Sequence, residues 1–170
     1  MSVEIRAEED GDRAKIYELN VGAFPTDAEA KLVDALRDAA RPFLSLVAVE
    51  DGNVVGNIVF TPVTLDSFDE LRVMGLAPMA VTPSRQNCGI GSRLVEAGLD
   101  NCRAQGVGAV IVLGHAEYYP RFGFRPASQW GIRSEYDVPD DVFMLIELVP
   151  GYLKSHHGTC LLYTSDAADE

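Results

Sequence analysis

The sequence predicts one mixed α/β domain, and three observations lead to that prediction. Two apolar, β-branched runs flank the hairpin signal Asp51-Gly52-Asn53, which indicates neighbouring antiparallel strands. A long amphipathic helix follows a further strand. The continuous apolar run Ala109–Leu113 comes next, as expected for a strand buried on both faces. The 170 residues suffice for one hydrophobic core, and neither a repeat nor a linker divides them.

The predicted elements follow from hydrophobic periodicity and from cap or turn residues. In chain order we expect a strand at Val3–Ala7, a helix over 12–24 with Asp12 as N-cap, a helix capped by Thr26 or Asp27, strands at Leu44–Glu50, 54–62 and 73–82, a helix over 89–105, a strand at Ala109–Leu113, a short helix over 117–122 and a strand over 142–149. Proline cannot donate to a sheet ladder, so Pro78 predicts an edge or a bulge within its strand.

Composition narrows the classes of partner. A net charge of −12 argues against a nucleic-acid partner, because phosphate backbones need clustered basic residues. The acidity either attracts a cationic amine or only keeps the protein soluble. Cys88, Cys102 and Cys160 show neither a disulfide framework nor metal-ligand spacing, so we expect no metal. No membrane partner is expected, because neither a signal peptide nor an apolar run of about 20 residues is seen. A cytoplasmic location follows as the expectation.

Residues 81–94 read as a strand, a turn with two glycines and the start of a helix. Backbone N–H groups and the positive end of a helix dipole converge at such a junction, which predicts a phosphate site. A P-loop would need Lys-Ser/Thr after its second glycine, but Ser92-Arg93 follows Gly91. A dinucleotide fingerprint needs a third glycine or alanine, and that position is Leu94. An ordinary loop-to-helix turn remains the alternative.

Three motifs resemble one family. The segment Q-N-C-G-I-G at 86–91 fits the Q/R-x-x-G-x-G/A pyrophosphate loop of the GCN5-related N-acetyltransferases (GNAT). The preceding L-A-P-M-A-V resembles that family's acetyl-CoA strand, and Y-P-R-F-G-F at 119–124 resembles its Y-x-x-x-G-F ending. The resemblance covers roughly residues 1–150. Within the family, the sequence is most similar to a bacterial subgroup of predicted acetyltransferases.

The resemblance implies a mostly antiparallel central sheet with helices on both faces and a splayed-strand cleft for acetyl-CoA. One strand would pair with the pantetheine, and the loop would hold the pyrophosphate. The implied cofactor-binding residues are Met79, Ala80, Val81, Gln86, Asn87, Cys88, Gly89, Ile90, Gly91 and Ser92. The Val81 N–H would also polarise the thioester carbonyl. Cys88 as a nucleophile is a minor alternative, because the loop faces phosphates.

Tyr119 matches the family's tyrosine that protonates the departing thiolate, so the resemblance implies a general acid. Aromatic packing under the cofactor is the alternative. His115 follows a buried strand and could be the base, a substrate contact or a structural histidine. Carboxylates of Asp66, Asp69 and Glu70 are further candidates for the base.

The expected activity is therefore direct transfer of an acetyl group from acetyl-CoA to an amine of a small molecule or protein. A non-catalytic acyl-CoA-binding regulatory domain is the alternative. The resemblance also makes a homodimer a candidate oligomeric state, because dimers are common in similar proteins. We expect residues 1–158 to form the acetyltransferase domain. Residues 159–170 are expected to be an atypical tail, either disordered or non-native read-through.

Overall fold

The computed structural model describes residues 2–65, 68 and 70–161. The strands in this part of the chain are β1 (Val3–Ala7), β2 (Leu44–Glu50), β3 (Asn53–Pro62), β4 (Thr64–Leu65), β5 (Val73–Val81), β6 (Ala109–Leu113), β7 (Arg125–Pro126), β8 (Ile132–Ser134), β9 (Phe143–Glu147) and β10 (Gly158–Leu161). The α-helices are α1 (Arg13–Ala23), α2 (Ala28–Ala39) and α3 (Ile90–Ala104). Among the described residues, no helix combines the length and the apolar character needed to cross a bilayer.

Seven of the described strands form one sheet in the order β1-β2-β3-β5-β6-β9-β7, and three short strands form another in the order β4-β10-β8. In the larger sheet β5 and β6 are parallel, whereas β1–β2, β2–β3, β6–β9 and β7–β9 are antiparallel. The predicted mixed α/β class with a mostly antiparallel sheet is confirmed. The described residues divide into two compact units, the first with 2–61 and 77–98 and the second with 62–65, 68, 70–76 and 99–161.

In the first unit, β2 and β3 form the predicted hairpin. Asp51 and Gly52 both have left-handed φ angles, 52° and 79°. This is the backbone of a tight two-residue hairpin turn, whose twist matches that of the paired strands. Glu50 faces Asn53 across the turn, and β1 pairs antiparallel with β2 from Val3 opposite Glu50 onwards. The hairpin signal is therefore a correct prediction.

Helices cover both faces of β2 and β3 in the first unit. Val47 and Val59 point to α1 and α2, where they share a core cluster with Ile16, Leu32, Val33 and Leu36. Ala48 and Gly56 have the opposite parity and face α3, and a Cβ at Gly56 would lie 3.0 Å from Leu94. The period-2 alternation of the strands thus supplies one apolar surface to each helical layer.

Replacing Gly98 by alanine is expected to destabilise the protein by about 1–3 kcal/mol, because the added methyl overlaps a core ring. A Cβ at Gly98 of α3 would overlap the fully buried ring of Phe60. The matched control is Gly22→Ala in α1, where an added Cβ meets no atom within 4 Å. Helix propensity should make that variant up to about 1 kcal/mol more stable. Urea unfolding of both variants checks the opposite signs, and a loss shared by both would contradict the steric argument.

Asp12 has a different role from the one predicted. It occupies the N-cap position of α1 but makes no side-chain capping bond there. Its carboxylate instead accepts hydrogen bonds from the Arg6 guanidinium at 2.7 and 3.1 Å and from the Glu9 N–H at 2.7 Å. The hydrogen bond from Arg6 is the main cause that lowers the pKa of Asp12.

Asp12→Asn is expected to lower the free energy of unfolding at pH 7 by about 1–3 kcal/mol, since a buried charged hydrogen bond is lost. A carboxyl whose pKa is lower in the folded protein stabilises it above the unfolded pKa. That stability is lost as the pH falls through the folded pKa. The gap between the wild type and the variant should therefore shrink below about pH 4. Denaturant unfolding at several pH values measures it, and a gap independent of pH would exclude the ionised carboxylate as its cause.

In the second unit, β5 and β6 pair in parallel over Val73–Leu76 of β5 and Ala109–Val112 of β6. Every residue of β6 is then matched antiparallel by β9. The core around these strands consists of Leu65, Val73, Ala109, Ile111, Ala127, Ile132, Phe143, Leu145, Leu153 and Cys160. The apolar run Ala109–Leu113 is a strand with these bounds, as the sequence predicts.

The second sheet contains part of the segment that the sequence set apart as a tail. In β10, Cys160 is fully buried and lies opposite Leu65 of β4 and Ser134 of β8. The expected boundary after Gly158 thus falls inside a strand. Residues 162–170 lie outside the described residues.

Candidate functional site

The predicted phosphate-binding segment connects β5 with α3 in the first unit. A 3-10 turn at Pro83–Arg85 comes first, and proline suits its start because its φ is fixed. A four-residue loop follows, and the first helical hydrogen bond runs from the Arg93 N–H to the Gly89 carbonyl at 3.1 Å. The N–H groups of Ile90 and Gly91 precede this bond, so they have no acceptor within the helix. Residues 86–92 are called the 86–92 loop below.

Two left-handed residues shape the 86–92 loop. Asn87 has a φ of 63° and Gly89 a φ of 85°. Gln86, just before them, is extended, with a φ of −69° and a ψ of 155°. Left-handed residues within a turn are typical of backbone concavities that bind anions. A Cβ at Gly89 would meet no atom within 4 Å. Open space therefore lies beside the loop at Gly89, and the positive φ of this residue favours glycine.

The side chains of Gln86 and Cys88 stabilise the loop itself. The Gln86 amide nitrogen donates to the Val81 carbonyl at 3.0 Å, which ties the loop to the end of β5. The Cys88 thiol is exposed and donates to the Gln86 carbonyl at 3.5 Å. Gln86 was predicted as a ligand residue, and this hydrogen bond gives its side chain a structural task as well.

The C-terminal part of β5 provides the strand predicted to bind pantetheine. The register between β5 and β6 runs from Val73 to Leu76 and does not extend to residues 79–81. Pro78 lies just beyond that register. Its strand, β5, is central in the sheet order, so Pro78 does not mark an edge strand. Ala80 is buried, whereas Met79 and Val81 are partly exposed.

Tyr119 lies in the second unit, in the 3-10 turn Tyr119–Phe122, and its side chain is buried. Its ring packs edge-on against Tyr118 at 5.2 Å and Phe124 at 5.6 Å between centroids. A Cβ at Gly114 would lie 2.6 Å from the Tyr119 ring, so glycine there makes room for it. Aromatic packing is therefore a real part of this residue's role.

Burial raises the pKa of Tyr119 to about 12, with a smaller contribution from Tyr118. Desolvation penalises the phenolate because an anion loses hydration when it is buried. The phenol thus keeps its proton at neutral pH, as a proton donor must. An exposed phenol has a pKa closer to that of a thiol, so the buried Tyr119 is a weaker acid than an ordinary tyrosine.

The candidate bases differ in their surroundings. His115 is exposed, and no hydrogen bond or ion pair joins its imidazole to another described residue; its carbonyl accepts from the Tyr118 N–H at 3.1 Å. This exposure disfavours the alternative of a structurally paired histidine. Glu70 lies 3.4 Å from the ring of His156. Asp66 and Asp69 lie outside the described residues.

An ion pair beside the loop was missed by the sequence analysis. Arg85 Nη2 lies 2.7 Å from Glu50 Oε2, although the two residues are 35 positions apart. No sequence signal identifies this pair, because neither residue stands out from the other charged residues. Among the described residues, no group of three or more side chains could hold a metal ion.

Comparison with known proteins identifies the family. The profile of the acetyltransferase (GNAT) family matches residues 13–124. The chain is 42% identical over 134 residues to YjhQ of Escherichia coli, an uncharacterised N-acetyltransferase, over 76% of this chain and 74% of YjhQ. It is 36% identical over 155 residues to YhbS of Escherichia coli, likewise an uncharacterised N-acetyltransferase, over 91% of this chain and 92% of YhbS.

Solved structures agree with this assignment. The crystal structure of YhbS from Escherichia coli in complex with CoA matches with a TM-score of 0.91 at 34% identity, over 99% of this chain and 92% of YhbS. A GNAT family acetyltransferase from Brucella melitensis in complex with acetyl-CoA matches with a TM-score of 0.80 at 32% identity, over 97% and 98% of the two chains. The predicted resemblance to a bacterial subgroup of acetyltransferases is thus confirmed, and the chain belongs to the GNAT family of acetyltransferases.

Proposed function

We propose that this protein transfers an acetyl group from acetyl-CoA to a primary amine by direct attack within one ternary complex. The 86–92 loop carries the proposal, because left-handed Asn87 and Gly89 lead directly into the first backbone N–H groups of α3. A diphosphate suits such a row of donors at a helix N-terminus. The relatives with bound CoA and acetyl-CoA support a CoA diphosphate as this anion.

Backbone groups would do most of the binding. The N–H groups of the 86–92 loop would hold the pyrophosphate, and Met79, Ala80 and Val81 would pair with the pantetheine like an added strand. Acetyl-CoA supplies the acetyl group as a thioester. The Val81 N–H would donate to the thioester oxygen, which gains negative charge as the amine attacks.

Tyr119 would act as the general acid. As the nitrogen–carbon bond forms and the carbon–sulfur bond breaks, the electron pair goes to sulfur and the Tyr119 hydroxyl gives it a proton. The pKa of the phenol, about 12, is above that of an ordinary thiol. Burial that disfavours a phenolate also disfavours a thiolate in the same surroundings, which reduces the mismatch.

His115 would accept the proton that the amine loses, or would contact the amine. Its exposed imidazole makes no hydrogen bond or ion pair with another described side chain, so it can contact an amine substrate that arrives from solvent. The net charge of −12 favours a cationic amine before it is deprotonated. The acceptor belongs to a small molecule or a protein, and both classes enter the test below.

Ionisation of Tyr119 should cause no fall in kcat at or below pH 10, which is the ordinary pKa of a phenol. The pKa raised to about 12 means that the acid form persists until the pH approaches that value. Loss of activity should occur only on the acidic side, where the amine or its base is protonated. Steady-state rates from pH 6 upwards measure this. A fall centred near pH 10 that disappears in Tyr119→Phe would contradict the buried phenol.

A screen of amines with acetyl-CoA, followed by thiol release and mass spectrometry, tests the function. We expect one thiol and one N-acetyl product for each turnover, and initial-rate plots whose lines intersect. Parallel lines, abolished in Cys88→Ser, would instead indicate a covalent acetyl-cysteine. Binding of acetyl-CoA without thiol release across small-molecule and protein amines would favour the regulatory domain. Absence of CoA binding would reject both proposals.

A further inference from the structure

Two arginines bracket the 86–92 loop and reach the same corner of the first unit's sheet. Before the loop, Arg85 Nη2 lies 2.7 Å from Glu50 Oε2. After it, Arg93 Nη1 donates to the Val3 carbonyl at 2.8 Å. Val3 and Glu50 lie directly opposite each other in the β1–β2 register. Both ends of the loop are therefore attached to one cross-strand pair.

Glu50 is an unexpected residue beside an anion-binding loop. Its side chain is only 10% exposed, and that of Arg85 is 35% exposed. A buried carboxylate repels an incoming diphosphate, so charge alone would make Glu50 unfavourable for binding. A favourable effect of Glu50 on binding therefore requires the ion pair, which is stronger and more directional in a partly buried setting than at the surface.

The ion pair is connected to the interior of the loop. Arg85 Nη1 lies 3.8 Å from Cys88 Sγ, and the Cys88 thiol donates to the Gln86 carbonyl. The contacts thus run from Glu50 through Arg85 and Cys88 to the backbone of the loop. Arg85 Nε is buried without a partner, so Glu50 engages the guanidinium at one end only.

We propose that Glu50 and Arg85 are positioning residues for CoA binding, and that their ion pair holds the N–H groups of the 86–92 loop in the binding conformation. This inference rests on the proposed function of that loop. Glu50 acts through Arg85, which contacts Cys88 of the loop, so the two residues form one unit in their effect on CoA affinity.

The test is a double-mutant cycle on CoA affinity, measured by calorimetry at fixed salt. Glu50→Gln and Arg85→Gln should each raise the Kd for CoA about tenfold. The double variant should be no weaker than the weaker single variant, because either change already breaks the pair. Arg85→Lys should restore part of the affinity. In turnover, KM for acetyl-CoA should rise while kcat stays within about twofold.

Glu96→Gln is the matched control, because it removes one exposed negative charge from α3 and should leave the Kd unchanged. Tighter CoA binding by Glu50→Gln would overturn the proposal, since Glu50 would then act only as a repelling charge. Additive losses would also overturn it, because Arg85 would then act on the ligand independently of Glu50. An unchanged Kd in both single variants has the same consequence.

The wild type separates this inference from the proposed function. If the wild type binds no CoA, the proposed function fails and the inference falls with it. If the wild type binds CoA and the variants do as well, only the inference fails. Circular dichroism of each variant shows whether it is folded. Arg85→Lys keeps the positive charge, so its Kd for CoA tests the inference if Arg85→Gln does not fold.

Discussion

Tyr119→Phe is expected to lower kcat for amine acetylation by well over tenfold while leaving the Kd for acetyl-CoA within about twofold. General-acid catalysis typically contributes 10²–10⁴-fold, and only the hydroxyl is removed. The ring that packs against Tyr118 and Phe124 stays in place, so the fold is preserved. Steady-state thiol release gives kcat, and calorimetry gives the Kd.

Tyr118→Phe is the matched control, because it removes a hydroxyl from the adjacent residue. The Tyr118 ring lies 4.4 Å from the Arg121 guanidinium, a contact that phenylalanine retains. This variant should keep kcat within about twofold. Equal losses in both variants would indicate a packing effect. Normal turnover in Tyr119→Phe would assign the proton donation to another group.

Gly91→Val is expected to raise the Kd for CoA by at least about a hundredfold while the protein remains folded. The branched side chain would stand where a phosphate approaches the first N–H groups of α3. Valine is no worse than glycine in a helix, so the helix itself should persist. Calorimetry measures the Kd, and circular dichroism checks the fold.

The matched control is Gly22→Val, the same change in α1 at a position where an added Cβ meets nothing within 4 Å. It should bind CoA as the wild type does. Gly91→Ala should have a Kd for CoA between those of these two variants, because the family's loop pattern accepts glycine or alanine there. Unchanged affinity in Gly91→Val would mean that the pyrophosphate binds elsewhere.

The long elements of the fold could be predicted from the sequence, because their patterns are local. Val3–Ala7, Leu44–Glu50 and Ala109–Leu113 are apolar or alternating runs, and each is a strand with the predicted bounds. The short strands β4, β7, β8 and β10 were missed. They have two to four residues and no measurable period, and they exist because distant segments pair with them.

Of the candidate site, the sequence could predict the features that depend on local backbone geometry. Gly89, for example, has a φ of 85°, a backbone conformation that favours glycine and depends on local geometry. The partner of Arg85 and the raised pKa of Tyr119 were not predictable, because both depend on which residues the fold brings together and how deeply it buries them. Asp12 illustrates the same limit, because its carboxylate binds the Arg6 guanidinium instead of capping α1.

The sheet β4-β10-β8 also has a kinetic consequence. Leu65 and Cys160 pair across a gap of about a hundred residues, so closing this pair has a large loop entropy cost. Contacts of such high sequence separation slow folding and form late. During synthesis the second unit must wait for residues 158–161 to leave the ribosome, whereas the β2–β3 hairpin can form as soon as it emerges. Nascent chains should therefore acquire the hairpin first and bury Cys160 last.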